Sequence, residues 1–171
     1  MAVQPLGLAG AQLISGGIAG VYEGPEDASE TYGRGAILIE GTGTLAEGAA
    51  DLTSGIVGLS LQKASGTTNA LVPYVPALEG LIFEGNLSTG GANPPTAYTL
   101  AINTDFLTRY ALQIDTSQTT DQGTTITGVW YIDQADTTNV SITIMGFKDD
   151  VGTSDARVFF VINADTTVYA S

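Results

Sequence analysis

The dominant pattern along the chain is a succession of short apolar runs separated by Gly, Thr, Ser, Asp and Pro. Residues 33–85, GRGAILIEGTGTLAEGAADLTSGIVGLSLQKASGTTNALVPYVPALEGLIFEG, show it most clearly. Strands are expected over residues 36–40, 55–62, 71–76 and 81–84, where β-branched and aromatic side chains concentrate. Further runs of the same kind cover residues 97–102, 109–115, 126–132, 140–147 and 157–162, with a last short strand at Val168 and Tyr169. No window shows a helical period and nothing repeats at a fixed long interval. One strand per about 10–15 residues predicts an all-β fold, a small β-barrel, β-tulip-like or sandwich domain.

Punctuation refines the picture. Gly35, Gly55, Gly58 and Gly80 are expected to set turns and bulges; Gly58, inside an apolar run, predicts a bulge or a close backbone approach. Pro73 and Pro76 lie in a single strand and predict a sheet edge or a barrel corner, because proline cannot donate to a ladder. STGGANPPT, at 88–96, reads as a loop.

The first 32 residues differ from the rest. Residues 1–22 carry Leu6, Leu8, Leu13, Ile14, Ile18, Val21 and Tyr22 among glycines at 7, 10, 16, 17 and 20. Each glycine costs a helix about 1 kcal/mol relative to alanine, so an extended N-terminal arm is expected. Its apolar side chains need a surface, either their own domain or a neighbouring subunit. The stretch lacks the Lys or Arg of a signal peptide, the first positive charge being Arg34, and reads as mature sequence. EGPEDASETY, at 23–32, reads as a solvated acidic linker, without the regular oxygen spacing of a calcium loop. The division is thus an arm and linker over 1–32 and one β-rich domain over 33–171.

Composition adds exclusions. With 18 acids, 5 bases and no histidine the net charge is −13, which repels nucleic acid and anionic membranes. Solubility is the plain reading of that acidity. Without His or Cys, the usual nucleophilic triads, histidine bases and soft-ligand zinc sites are ruled out. No glycine-rich loop precedes Lys-Ser or Lys-Thr, so no phosphate cradle is expected. Asp149-Asp150 reads as a turn, and Glu79 and Glu84 fall on opposite faces of one strand, so no carboxylate pair is set up for glycoside hydrolysis. No enzyme, cofactor or metal site is expected. Trp130 and Tyr131 alternate across a strand; one is expected in the core and the other in the core or on a surface. Arg34, Lys63, Arg109, Lys148 and Arg157 are scattered, each available to anchor an ion pair at a subunit contact.

The order of segments resembles the head decoration (capsid cement) proteins of tailed bacteriophages. The resemblance rests on GAILI at 35–39, GIVGLSL at 55–61, LVPYVPA at 71–77 and LIFEG at 81–85, with GFKDDVG at 146–152 and ARVFFVI at 156–162 resembling their closing strands. It spans residues 33–163, with the N-terminal arm as an appendage. It implies a virion protein on the capsid exterior, made in the host cytoplasm, that stabilises the expanded head by bridging subunits. The implied partners are the major capsid protein and further copies of this chain, a trimer being favoured. The arm residues Leu6, Leu8, Leu13, Ile14, Ile18, Val21 and Tyr22 are its expected contacts. The alternatives are a carbohydrate-binding or adhesive module using Tyr74, Tyr98, Trp130 or Tyr131, or another head or tail component.

Overall fold

The structure is a computed structural model that describes residues 7–13, 20–90 and 94–169. It is all-β, with two large sheets around a shared core and a small two-stranded hairpin at residues 120–125. The strands are β1 (Gly7–Leu13), β2 (Tyr22–Pro25), β3 (Ile37–Glu40), β4 (Leu45–Glu47), β5 (Ile56–Ser60), β6 (Leu71–Pro76) and β7 (Leu81–Ser88). After a helical turn α1 (Ile102–Asp105) come β8 (Arg109–Asp115), β9 (Thr120–Asp121), β10 (Thr124–Thr125), β11 (Val129–Asp133), β12 (Ile142–Phe147) and β13 (Arg157–Ile162).

The larger sheet runs β1-β7-β11-β8-β12-β13, and β13 also pairs with β7. That second pairing closes β7, β11, β8, β12 and β13 into a five-stranded barrel. All its ladders are antiparallel except β7 with β11. β7 serves three neighbours because it is long: it meets β13 along 83–86 on one edge, and β1 and β11 in succession on the other. The second sheet is antiparallel in the order β2-β6-β5-β3-β4. It curls until Glu26, just past β2, bridges Leu45 of β4.

One apolar cluster joins both sheets. Tyr32, Ile37, Leu38, Ile56, Leu59, Val72 and Val75 come from the second sheet and the residues leading into it, and Phe83, Leu87, Leu112, Trp130, Ile132, Val158 and Phe160 from the barrel. Phe83 and Phe160 pack with ring centroids 5.8 Å apart. Trp130 Nε1 donates to Glu47 Oε1 at 2.9 Å, tying β11 to β4. The Asp51 amide donates to the Leu112 carbonyl at 3.0 Å, and Gln113 Nε2 to Asp51 Oδ1 at 3.0 Å.

Several expectations change. Residues 97–102 form no strand: Thr99 makes an isolated bridge to Ser154 and Ile102 begins α1. Val168 and Tyr169 form a turn anchored by the Val168 amide on the Ile56 carbonyl at 3.0 Å. The 23–32 stretch is no solvated linker: its first residues sit in β2, while Glu26 and Tyr32 are fully buried. Trp130 and Tyr131 are both buried, because Trp130 joins the main core on one face of β11 while Tyr131 clusters with Val129 and Ile126 on the other.

β6, with its two prolines, is not an edge; it lies between β2 and β5. Successive backbone groups along a strand face alternate neighbours. β2 covers residues 71–74 of β6 and the ladder with β5 covers 74–76. The Pro73 carbonyl accepts from the Leu61 amide, so the nitrogen of Pro73 also faces the β5 side, beyond that ladder. By the same alternation Pro76 faces the β2 side, beyond the end of β2. Each missing donor falls where the facing strand supplies no ladder acceptor.

Gly35, Gly55 and Gly80 have φ of +72°, +79° and +84°. At Gly58 the constraint is space, since a Cβ would lie 2.1 Å from the Val75 carbonyl oxygen. The ladder also shifts register here, Leu38 facing Gly58 and Ile39 facing Ile56, so Val57 is an extra residue on β5. Gly58→Ala therefore forces β5 away from β6. It is expected to cost about 1–3 kcal/mol in urea denaturation; a loss below about 0.5 kcal/mol, typical of a tolerant surface site, contradicts the close approach.

Candidate contact surface

A buried carboxylate organises the exposed apolar corner of the barrel. Asp105, the last residue of α1, has no solvent exposure. Its Oδ1 accepts from Tyr110 Oη at 2.8 Å and Tyr98 Oη at 3.1 Å, and its Oδ2 from the Ala101 amide at 2.7 Å. Burial, followed by the interaction with Asp105, holds the Tyr98 and Tyr110 phenols above the usual tyrosine value. Such charge-assisted bonds are what make a buried carboxylate tolerable.

This anchor fixes the chain that follows. Phe106 closes the turn through its amide to the Ile102 carbonyl at 3.3 Å, and the Leu107 amide donates to the Ile144 carbonyl on β12 at 3.0 Å. Leu107 has φ of +56°, a left-handed conformation that is strained for a branched side chain. Strain of this kind persists only where surrounding bonds over-determine the backbone, as they do here. The outcome is an apolar display: Ile102 is 53%, Phe106 49% and Leu107 58% exposed.

β12 extends the display. Ile144 faces Phe160 and Gly146 faces Phe159, leaving Met145 as the extra residue of a bulge. A bulge re-aims its side chain, and Met145 is exposed. Two residues on, Phe147 meets Phe106 edge-on with centroids 6.2 Å apart. Beside Met145 an open groove of about 650 Å³ runs past Arg109, Thr143 and Asp165. Arg109 and Asp165 pair across it at 3.1 Å.

The expected arm contacts are dispersed. Leu6, Ile14 and Ile18 lie outside the described residues. Leu8 and Leu13 are in β1, opposite Phe83 and Leu81 of β7 in the same chain. Val21 and Tyr22 are exposed, on the other sheet from Phe106. The scattered cations are engaged within the chain rather than free for a subunit contact. Arg34 pairs with Asp121 at 3.0 Å, Lys148 and Arg157 with Glu84 at 2.7 and 2.9 Å, and Lys63 donates to Thr124. Of the proposed sugar-stacking rings, Trp130 and Tyr131 are buried, while Tyr74 and Tyr98 are both partly exposed, Tyr98 with its hydroxyl on Asp105. The Ile102–Phe106–Leu107–Met145 corner was missed by strand reading, because four helical residues are too few to show a period. Two large apolar residues between Asp105 and Thr108 were its signal.

Among the described residues no helix is long and apolar enough to cross a membrane, and no group of three or more His, Cys, Asp or Glu side chains is arranged to hold a metal ion.

Two outcomes follow from the anchor. Asp105→Ala strips the acceptor from two phenols and one amide, and should cost about 3 kcal/mol in thermal or urea unfolding while lowering two phenol titrations toward normal. A loss below about 1 kcal/mol, or unmoved titrations, contradicts the anchor. The raised phenols also set a pH window. Between the unfolded value near pH 10 and the higher folded value, the folded state keeps protons that the unfolded chain has released. Their stabilisation is fully present below about pH 10 and is lost as pH rises through the folded values. Stability that stays flat well above that pH contradicts this assignment. In comparisons with known protein families and with curated proteins, the chain matches none.

Proposed function

We propose that this chain is a structural virion protein, without catalytic activity, that binds the outside of an assembled phage head and bridges capsid subunits. The observation that carries the reading is the rigid apolar corner of Ile102, Phe106, Leu107 and Met145 on a closed barrel. Their exposure beside a strained backbone suits a surface that is covered in use. A closed barrel suits that task, since it exposes few sheet edges for accidental pairing. The resemblance of the segment order to that of phage decoration proteins supports the same reading. Binding to the assembled shell and not to loose subunits would stabilise the shell by mass action, and many identical weak contacts would sum over the lattice. The partner is then the major capsid protein, with the chain acting as a homo-oligomer, a trimer being favoured.

Phe106→Ser with Leu107→Asn tests this. Asparagine tolerates the left-handed backbone, so the free protein should keep or gain thermal stability. Its affinity for expanded capsids that lack the protein should nevertheless fall about 100-fold, as expected for removing about 3 kcal/mol of apolar burial. Heat resistance of the decorated heads should fall with it. Unchanged decoration by the double variant removes this corner from the interface. Retention of the wild-type chain on immobilised polysaccharide, with no binding to heads, supports the carbohydrate-binding alternative instead.

A further inference from the structure

The second sheet carries a groove that the capsid reading does not use. Past the Glu26–Leu45 bridge, β2 separates from the β3–β4 hairpin and leaves an opening of about 340 Å³. Its walls include Leu45, Val57 and Val168, the ring of Tyr74, and Glu23 and Glu40. Glu23 and Glu40 are exposed. Gly24 keeps the wall thin: a Cβ there would lie 2.6 Å from Leu45 Cδ1 and 3.5 Å from Tyr74 Cε1. The Tyr22 ring leans on Tyr74 with centroids 6.2 Å apart and planes at 42°. Burial, with Tyr74 beside it, pushes the Tyr169 phenol up to about 12.

The charge pattern indicates what such a groove accepts. Neither Glu23 nor Glu40 has a cation within salt-bridge distance among the described residues. The chain has only 5 bases, and each is engaged elsewhere, with Asp121, Thr124, Asp165 or Glu84. Both carboxylates are thus open to a cation carried by a partner. Lysine and arginine side chains combine an apolar stem with a charged tip. The stem suits the Leu45, Val57 and Val168 surfaces, and the tip suits tyrosine faces and carboxylates together. A sugar is the poorer match, because rings inclined at 42° do not form one flat stacking platform. The net charge of −13 would also steer a basic surface toward the molecule.

We propose that this groove is a receptor for a single lysine or arginine side chain presented by a partner protein. The proposal stands independently of whether that partner is a capsid subunit.

Amide chemical-shift titration of the full chain tests it directly. The probes are a capped tripeptide with lysine between two glycines, its arginine counterpart, an uncharged norleucine counterpart and maltohexaose. A cationic tripeptide should give saturable shifts at Gly24, Gly43, Thr44 and Val168 that weaken as salt is raised. Glu23→Gln with Glu40→Gln should weaken binding at least about tenfold. Both side chains are exposed, so the fold should survive, which unchanged shifts at the barrel strands would verify. Glu40→Lys alone, occupying the groove rim with its own charge, should give the same loss. No saturable shift with either cation, equal shifts with norleucine, shifts with maltohexaose in place of the cations, or undiminished binding by both variants would each overturn the proposal.

Discussion

Buried carboxylates that accept from tyrosine hydroxyls and loop amides are the constraint on which the rest of this structure depends. Glu26 shows it most fully. It is fully buried, yet Tyr32 Oη, the Ser65 amide and hydroxyl, and the Gly66 amide all donate to it, at 2.7–3.1 Å. That knot holds the 65–66 loop against the stretch that follows β2, and it sits at the bridge that draws β2 to β4. Asp105 does the same for α1 and the exposed corner. Asp155 accepts from the Ser88 hydroxyl and the Tyr98 amide, and Asp133 from the amides of Gly90 and Ala135. An unpaired carboxylate in these places would be far too costly to bury. Part of the acidity that reads as solubility is therefore internal, organising loops in a chain with few bases.

The barrel and the anchors divide the work. Closure through β7–β13 pairing leaves the barrel strands with neighbours on both sides and provides a stiff platform. The irregularities that present side chains outward are local: the Met145 bulge, and Leu107 held with positive φ between Asp105 and Ile144. On the second sheet, Gly24 and the separation of β2 from the hairpin open the tyrosine-lined groove. Two surfaces of different chemistry, one apolar and one acidic and aromatic, thus lie on different sheets of one molecule.

Much of the fold was legible because β-branched and aromatic runs survive any reading frame. β3, β5, β6, β8 and β13 lie within a residue or two of the stretches that the apolar pattern marks, and the all-β class follows from them. What escaped depends on tertiary neighbours. The interior place of β6 rests on which side Pro73 and Pro76 face, and this parity is set by strands 10 or more residues away. Trp130 and Tyr131 are both covered because β11 has packing on each face, whereas alternation alone suggests one wet side. The acidic stretch at 23–32 looks solvated until Tyr32, Ser65 and Gly66 are brought to Glu26. Of the exposed apolar side chains, Val21 and Tyr22 were in view from the sequence, whereas Phe106 and Leu107 lie in a loop whose conformation depends on the Asp105 anchor.

The most direct test of the account is an image of intact virions at a resolution that orients this domain. The account predicts density at regular positions on the outside of the shell, with the Ile102–Phe106–Leu107–Met145 corner turned onto capsid or neighbouring decoration subunits. Heads without such density, or a regularly placed domain with that corner facing solvent, would contradict it.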